Sequence, residues 1–170
     1  MSRLRNTMKP MSFSFSGLLP MVLAFVAAII MLLPIGTSVD SNYMPNLAIV
    51  SVFYWALYRP LQMPSGGAVL IGFFLDLWLD VPLGLNALLM VLVRVFILSQ
   101  LRYLRGRSTF VHWFIFGGLV FALYGIAWVI TSIISGVFIP LEPIIKQILM
   151  TIIAFPVVAF IFHQIRKKME

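Results

Sequence analysis

The chain has 170 residues, of which 62% are hydrophobic and 10% charged, with a mean hydropathy of +1.07 and a formal net charge of +7. A water-soluble domain of this length carries roughly a quarter of its residues as charges, so the composition excludes one and points to a chain solvated by lipid. Cysteine is absent, which excludes disulfides, thiolate catalysis and zinc–cysteine sites.

The first long apolar run, residues 17–36, reads as a helix able to cross a hydrocarbon core of about 30 Å. Arg3, Arg5 and Lys9 precede it as in a signal peptide. The run is too long for one and no small-x-small cleavage site follows, so an uncleaved anchor is expected. Next comes "NLAIVSVFYWALYRP", bracketed by Pro45 and Pro60, which predicts a second helix over 46–59 spanning roughly 21 Å. That is short for a membrane span. It predicts local thinning, snorkelling by Arg59, and Tyr54, Trp55 and Tyr58 anchored near the interface, with this helix and its neighbours the first surfaces offered to a partner span. A third helix over 67–80, a tight "VPLG" turn with Pro82 and Gly84, and a fourth helix over 85–101 form a transmembrane hairpin. A fifth helix covers 110–136 and a sixth 144–165, with Pro156 as a kink.

Ten basic residues then fall on one side: Arg3, Arg5, Lys9, Arg59, Arg102, Arg105, Arg107, Arg166, Lys167 and Lys168. The opposite side offers Asp40, Asp80 and Glu142, with Lys146 one turn after Glu142, where the two can pair. The positive-inside rule gives an all-α bundle of six transmembrane helices, a single domain over 1–170, with both termini cytoplasmic. The connections are short, which leaves no soluble domain to hold an aqueous active site.

The remaining motifs do not point to catalysis. No Gly-x-Ser-Gly turn faces a histidine, and His112 and His163 read as interfacial or packing residues. The five carboxylates are scattered over separate levels, so no metal is expected. Gly66 and Gly67 lack the Lys-Ser/Thr tail of a phosphate loop, so no nucleotide cofactor is expected either. The net positive charge concerns topology, not nucleic acid. The basic clusters at 102–107 and 166–168 fix that topology or hold anionic lipid headgroups, each basic side chain contributing about 1 kcal/mol there.

The third helix is the informative one. Ala68, Gly72, Asp76 and Asp80 recur every four residues and form one ridge of small and acidic side chains. On the fourth helix Asn86, Met90 and Arg94 share a face that should turn toward protein. Gly118, Ala122 and Gly125 repeat the small theme on the fifth. A lone charge near mid-bilayer costs about 3 kcal/mol, and side chains lean toward their own helix N-terminus, so Asp76 and Arg94 are expected to converge as an intramembrane pair. The alternative is that Arg94 snorkels alone and Asp76 caps or hydrates at the interface. Asp80, one turn further out, is expected to tolerate substitution.

The stretches "MPNLAIVSVFYWALYRP" and "GFFLDLWLDVPLGLNALL" resemble the rod-shape-determining membrane protein family MreD, most closely over residues 44–95. In that family a Pro-flanked short helix with a Tyr-Trp pair precedes a G-x-x-x-D helix and a P-L-G-x-x-A-L turn. Tyr54, Trp55, Gly72, Asp76, Pro82, Gly84, Ala87 and Leu88 occupy those places here, with Asn86 inside the turn motif. Asp80 departs from the small residue found in many relatives. The resemblance implies a non-enzymatic scaffold of the cell-elongation machinery in the bacterial inner membrane, supporting lateral peptidoglycan synthesis. It would bind MreC, a single-span protein, and work with MreB, RodA and RodA's partner transpeptidase; a homo-oligomer is compatible with it. The family is also distantly similar to the substrate-binding membrane subunits (S components) of energy-coupling-factor vitamin transporters, six-helix bundles of comparable size, which supplies a rival reading as a transporter subunit.

Overall fold

A computed structural model describes residues 15–33, 44–79 and 81–169. Asp80, Asp40 and the N-terminal Arg3, Arg5 and Lys9 lie outside the described residues. Six helices and no strand are found among those described: α1 (Phe15–Leu32), α2 (Leu47–Tyr58), α3 (Ser65–Trp78), α4 (Leu85–Leu104), α5 (Thr109–Ser135) and α6 (Leu141–Met169). Three of them, α4, α5 and α6, are long and apolar enough to cross a membrane, while α1, α2 and α3 are shorter apolar helices.

The boundaries follow local chemistry. At the end of α4, Gly106 adopts a positive φ of 85°, a conformation open to glycine at little cost, and the chain reverses there. At the start of α6, Pro143 sits in the first turn, where its missing N–H has no helical partner to lose. The same turn carries the expected Glu142–Lys146 pair, Nζ to Oε1 at 2.6 Å on an exposed face.

The largest departure from the sequence reading is α2. Every residue from Ala48 to Leu57 is buried, and α1, α3, α4 and α6 pack around it. Tyr54 and Trp55 are therefore core residues, not interfacial anchors, and α2 offers no face to a partner span. The two flanking prolines limit the helix's length but do not say what surrounds it. Nor does its composition, since a helix apolar on all sides suits lipid and a protein core alike. Aromatic contacts fix the enclosure. Phe53 meets Phe116 and Phe155 edge-on at 5.0 and 5.6 Å, while Tyr54 and Trp55 lie 5.5 and 5.4 Å from Phe162.

A short central helix must still have its ends satisfied. Asn46 caps α2 through its Oδ1, which accepts the Ile49 N–H at 3.1 Å, a standard use of asparagine at this position. The Asn46 N–H in turn donates to Thr151 Oγ1 at 3.0 Å. Thr151 lies ten residues after Leu141, so α2 begins about 15 Å along α6. Helix α6 runs continuously through Pro156. Proline offers no N–H to the carbonyl four residues earlier, and that carbonyl, Ile152 O, instead accepts from Trp113 Nε1 at 2.9 Å.

Candidate functional site

The α3–α4 hairpin carries the motif residues and holds them in one structure. Gly72 is where the helices touch: a Cβ on it would lie 2.4 Å from Ala87 Cα and 2.6 Å from the Asn86 carbonyl carbon. Only glycine permits that approach of two backbones. At the turn, Pro82 O accepts from Leu85 N at 3.1 Å, and Gly84 adopts φ 92° as the residue that opens α4. Glycine has no side chain with which to cap a helix, so the first N–H groups of α4 need an acceptor from elsewhere.

Asp76 supplies it. Its Oδ1 accepts Asn86 N–H at 2.8 Å, and its Oδ2 accepts Gly84 N–H at 3.0 Å and Ala87 N–H at 3.3 Å. The side chain is buried. A carboxylate placed at a helix N-terminus is favoured both by the three donors and by the positive end of the helix dipole, and the effect is strongest away from water. Gly72, Asp76, Pro82, Gly84, Asn86 and Ala87 thus act together: the glycine brings α4 close, the turn exposes its first amides, and the carboxylate closes on them.

Arg94 is not the partner of Asp76. Its Nε donates to Met63 O and its Nη1 to Ser65 Oγ, both at 2.6 Å. The reason lies in the hairpin register. Gly72 stands level with Ala87 and Ser65 with Arg94, so the point on α3 opposite Arg94 is eleven residues from Asp76, roughly 16 Å along the axis. Side-chain lean closes a fraction of that distance. The expected pair is therefore corrected: Asp76 caps α4 at one end of the hairpin, and Arg94 ties α4 to the start of α3 at the other.

At that other end, His112 on α5 is buried. Its Nε2 lies 2.9 Å from Leu104 O and its Nδ1 3.3 Å from Tyr58 Oη. A carbonyl only accepts, so Nε2 carries the hydrogen, and Nδ1 shares a hydrogen bond with the tyrosine hydroxyl. The histidine joins the ends of α2 and α4 to the start of α5. The Arg166 guanidinium stacks 4.3 Å from the Tyr58 ring centre.

A cavity of about 220 Å³ lies at the hairpin-turn end, where the shortness of α2 leaves space between α4, α5 and α6. Asn46, Asn86, Tyr124, Thr131 and Gln147 give it an uncharged polar lining. The loops at this end do not reveal this lining, because the residues come from α4, α5, α6 and the cap of α2. Asn46, placed inside the second helix by the sequence, is its cap; the place between Pro45 and an apolar run is the signal for one. The Trp113–Ile152 and Tyr58–His112 contacts had no signal, since each joins residues far apart in the chain. No group of three or more metal-ligating side chains converges among the described residues.

A family model described as rod shape-determining protein MreD matches residues 11–167. The chain belongs to the MreD family. No curated protein and no solved structure matches it. The family assigns the chain a role in determining rod shape, and its three long apolar helices fit a membrane protein. Of the residues on which the resemblance rested, Gly72, Asp76, Pro82, Gly84 and Ala87 form the hairpin clasp, while Tyr54 and Trp55 are core residues of α2 and Leu88 is exposed.

Proposed function

We propose that the chain is a non-catalytic scaffold of the bacterial cell-elongation complex. It spans the inner membrane six times with both termini in the cytoplasm and binds the membrane span of an MreC-like partner. The observation that carries this reading is the use made of the buried polar side chains. Asp76, His112 and Thr151 each bind main-chain atoms of a neighbouring element, so these side chains serve to hold helices together. Arg59, Arg102, Arg105, Arg107, Arg166, Lys167 and Lys168 all lie toward the same ends of their helices, which supports the orientation.

With α2 enclosed, the shortest helix available to a partner is α3. Its fourteen residues span about 21 Å of a core of about 30 Å, and the resulting mismatch favours protein over lipid at its side. Leu70, Phe73, Leu77 and Trp78 are exposed there. Cysteine replacements at Leu70, Phe73 and Leu77 should crosslink to the partner's span, with Phe114 and Phe121 on α5 as controls; crosslinks confined to α5 would move the interface. Reporter fusions within 103–108 should read cytoplasm and those within 139–143 periplasm. Depletion in a rod-shaped host should give rounded cells.

A further inference from the structure

Two chambers meet at the basic end of the bundle. The first, about 230 Å³, has a buried floor of Phe53, Leu57, His112 and Phe155 and an exposed rim that includes Thr109, Phe160 and His163. The second, about 340 Å³, is bordered by Leu104, Arg105, Gly106 and Arg107. Leu57, Tyr58 and His112 line both, so the chambers share a wall.

Among the described residues the charge around them is of one sign. Arg105 and Arg107 flank Gly106, whose positive φ of 85° folds the loop back at this point. Arg166 covers Tyr58, and its Nη2 lies 3.3 Å from His163 Nδ1. The described carboxylates, Asp76 and Glu142, belong to the opposite end of the bundle. One chamber is therefore cationic and polar, and the other is aromatic with an exposed rim between α5 and α6.

We infer that the two chambers form one site for a single phosphate-bearing anionic lipid. The phosphate sits with Arg105 and Arg107, and the first part of the tails passes Phe155, Pro156 and Phe160 toward the bilayer. Arginine suits this role because its planar fork binds phosphate oxygens in pairs. A soluble phosphate would use only the cationic chamber; the aromatic one is accounted for only by a ligand with an apolar part. This site stands independently of the scaffold reading, since it needs only the inner-end geometry.

The test is native mass spectrometry of the purified full chain in neutral detergent, titrated with dioleoyl phosphatidylglycerol, dioleoyl phosphatidylcholine or inorganic phosphate. One phosphatidylglycerol should be retained at concentrations where phosphatidylcholine is not, and inorganic phosphate should fail to displace it. Arg105→Gln with Arg107→Gln should raise the half-saturating concentration about tenfold. Thr109→Trp, at the exposed rim, should block retention while the helical melting curve stays unchanged. Lys167→Gln with Lys168→Gln removes equal charge outside the chambers and should leave retention intact. The site is overturned if the lysine pair weakens binding as much as the arginine pair, which would mean diffuse attraction. Equal retention of phosphatidylcholine, or displacement by inorganic phosphate, would overturn it as well.

Discussion

The two ends of α4 are closed by side chains from its neighbours, and they are closed differently. At the N-terminus a carboxylate from α3 accepts three backbone N–H groups. At the C-terminus an imidazole from α5 donates to one backbone carbonyl, Leu104 O. Each uses the sign that the helix dipole favours, an anion at the start and a donor at the end. Both matter more here than in a soluble protein, because a backbone group left open away from water finds no substitute partner. The clasp at the hairpin turn, the outer one on the orientation proposed above, is local, joining residues eight to eleven apart. The inner one brings in Tyr58, 54 residues from His112. The first holds a hairpin together, and the second holds the hairpin to the rest of the bundle.

If that contrast is right, breaking the outer clasp is the most damaging single change. Asp76→Ala leaves three N–H groups, one buried and two partly buried, without their acceptor and should cost about 3 kcal/mol, since bonds to charged groups are each worth about 1.5–3 kcal/mol and are not additive. Asp76→Asn should recover less than half, because one of its two terminal atoms donates where an acceptor is needed. Unfolding in detergent measures both, and equal stability of Asn and wild type would show that the charge contributes nothing. Gly72→Ala comes next, at about 2 kcal/mol, the usual scale for forcing an extra methyl into a packed contact. The 2.4 Å approach to Ala87 Cα requires the helices to separate, which also loosens Asp76; a neutral substitution there would mean that the hairpin has slack.

The inner clasp should be weaker. His112→Phe keeps the ring volume but leaves Leu104 O without its side-chain donor, for an expected loss of about 1–2 kcal/mol. Leu104 O also accepts from Arg107 N at 3.2 Å, which limits the damage. Tyr58→Phe should cost less again, because its hydroxyl bond is long at 3.3 Å and only partly buried. A His112→Phe loss exceeding that of Asp76→Ala would reverse the ranking of the two ends.

How much of this was legible in the sequence varies by residue. The helices follow from apolar runs and from proline and glycine punctuation, and Glu142–Lys146 from a spacing of four. Asp76 was legible as a buried functional carboxylate because it shares a ridge with Gly72, but its partner was misread. A charge in an apolar helix invites a search for the opposite charge, whereas the nearest acceptor-hungry groups were the amides behind Gly84, a helix start with no side chain of its own. The place of α2 is not legible in the sequence, because an apolar helix suits lipid and protein core alike and its aromatic partners Phe116, Phe155 and Phe162 lie far along the chain. His112, Tyr58 and Trp113 meet partners that only the tertiary fold brings near.

The smallest expected effect is the coupling between Asp76 and Arg94, and it separates the two accounts of these charges. If they formed a pair, Asp76→Ala would strand a buried cation, and adding Arg94→Leu would relieve part of the defect. In the structure Arg94 is held by Met63 O and Ser65 Oγ, roughly 16 Å along the hairpin from Asp76. Arg94→Leu alone should then cost about 1 kcal/mol, the loss of a partly exposed contact, whether or not Asp76 is present. Sites this far apart with no common partner add to within about 0.5 kcal/mol. The double variant should accordingly be as unstable as the two singles combined, and rod shape in cells should fail in the same order as stability in detergent. A coupling of more than about 1 kcal/mol, with the double variant more stable than Asp76→Ala, would show that the charges sense each other across the hairpin despite their separate partners.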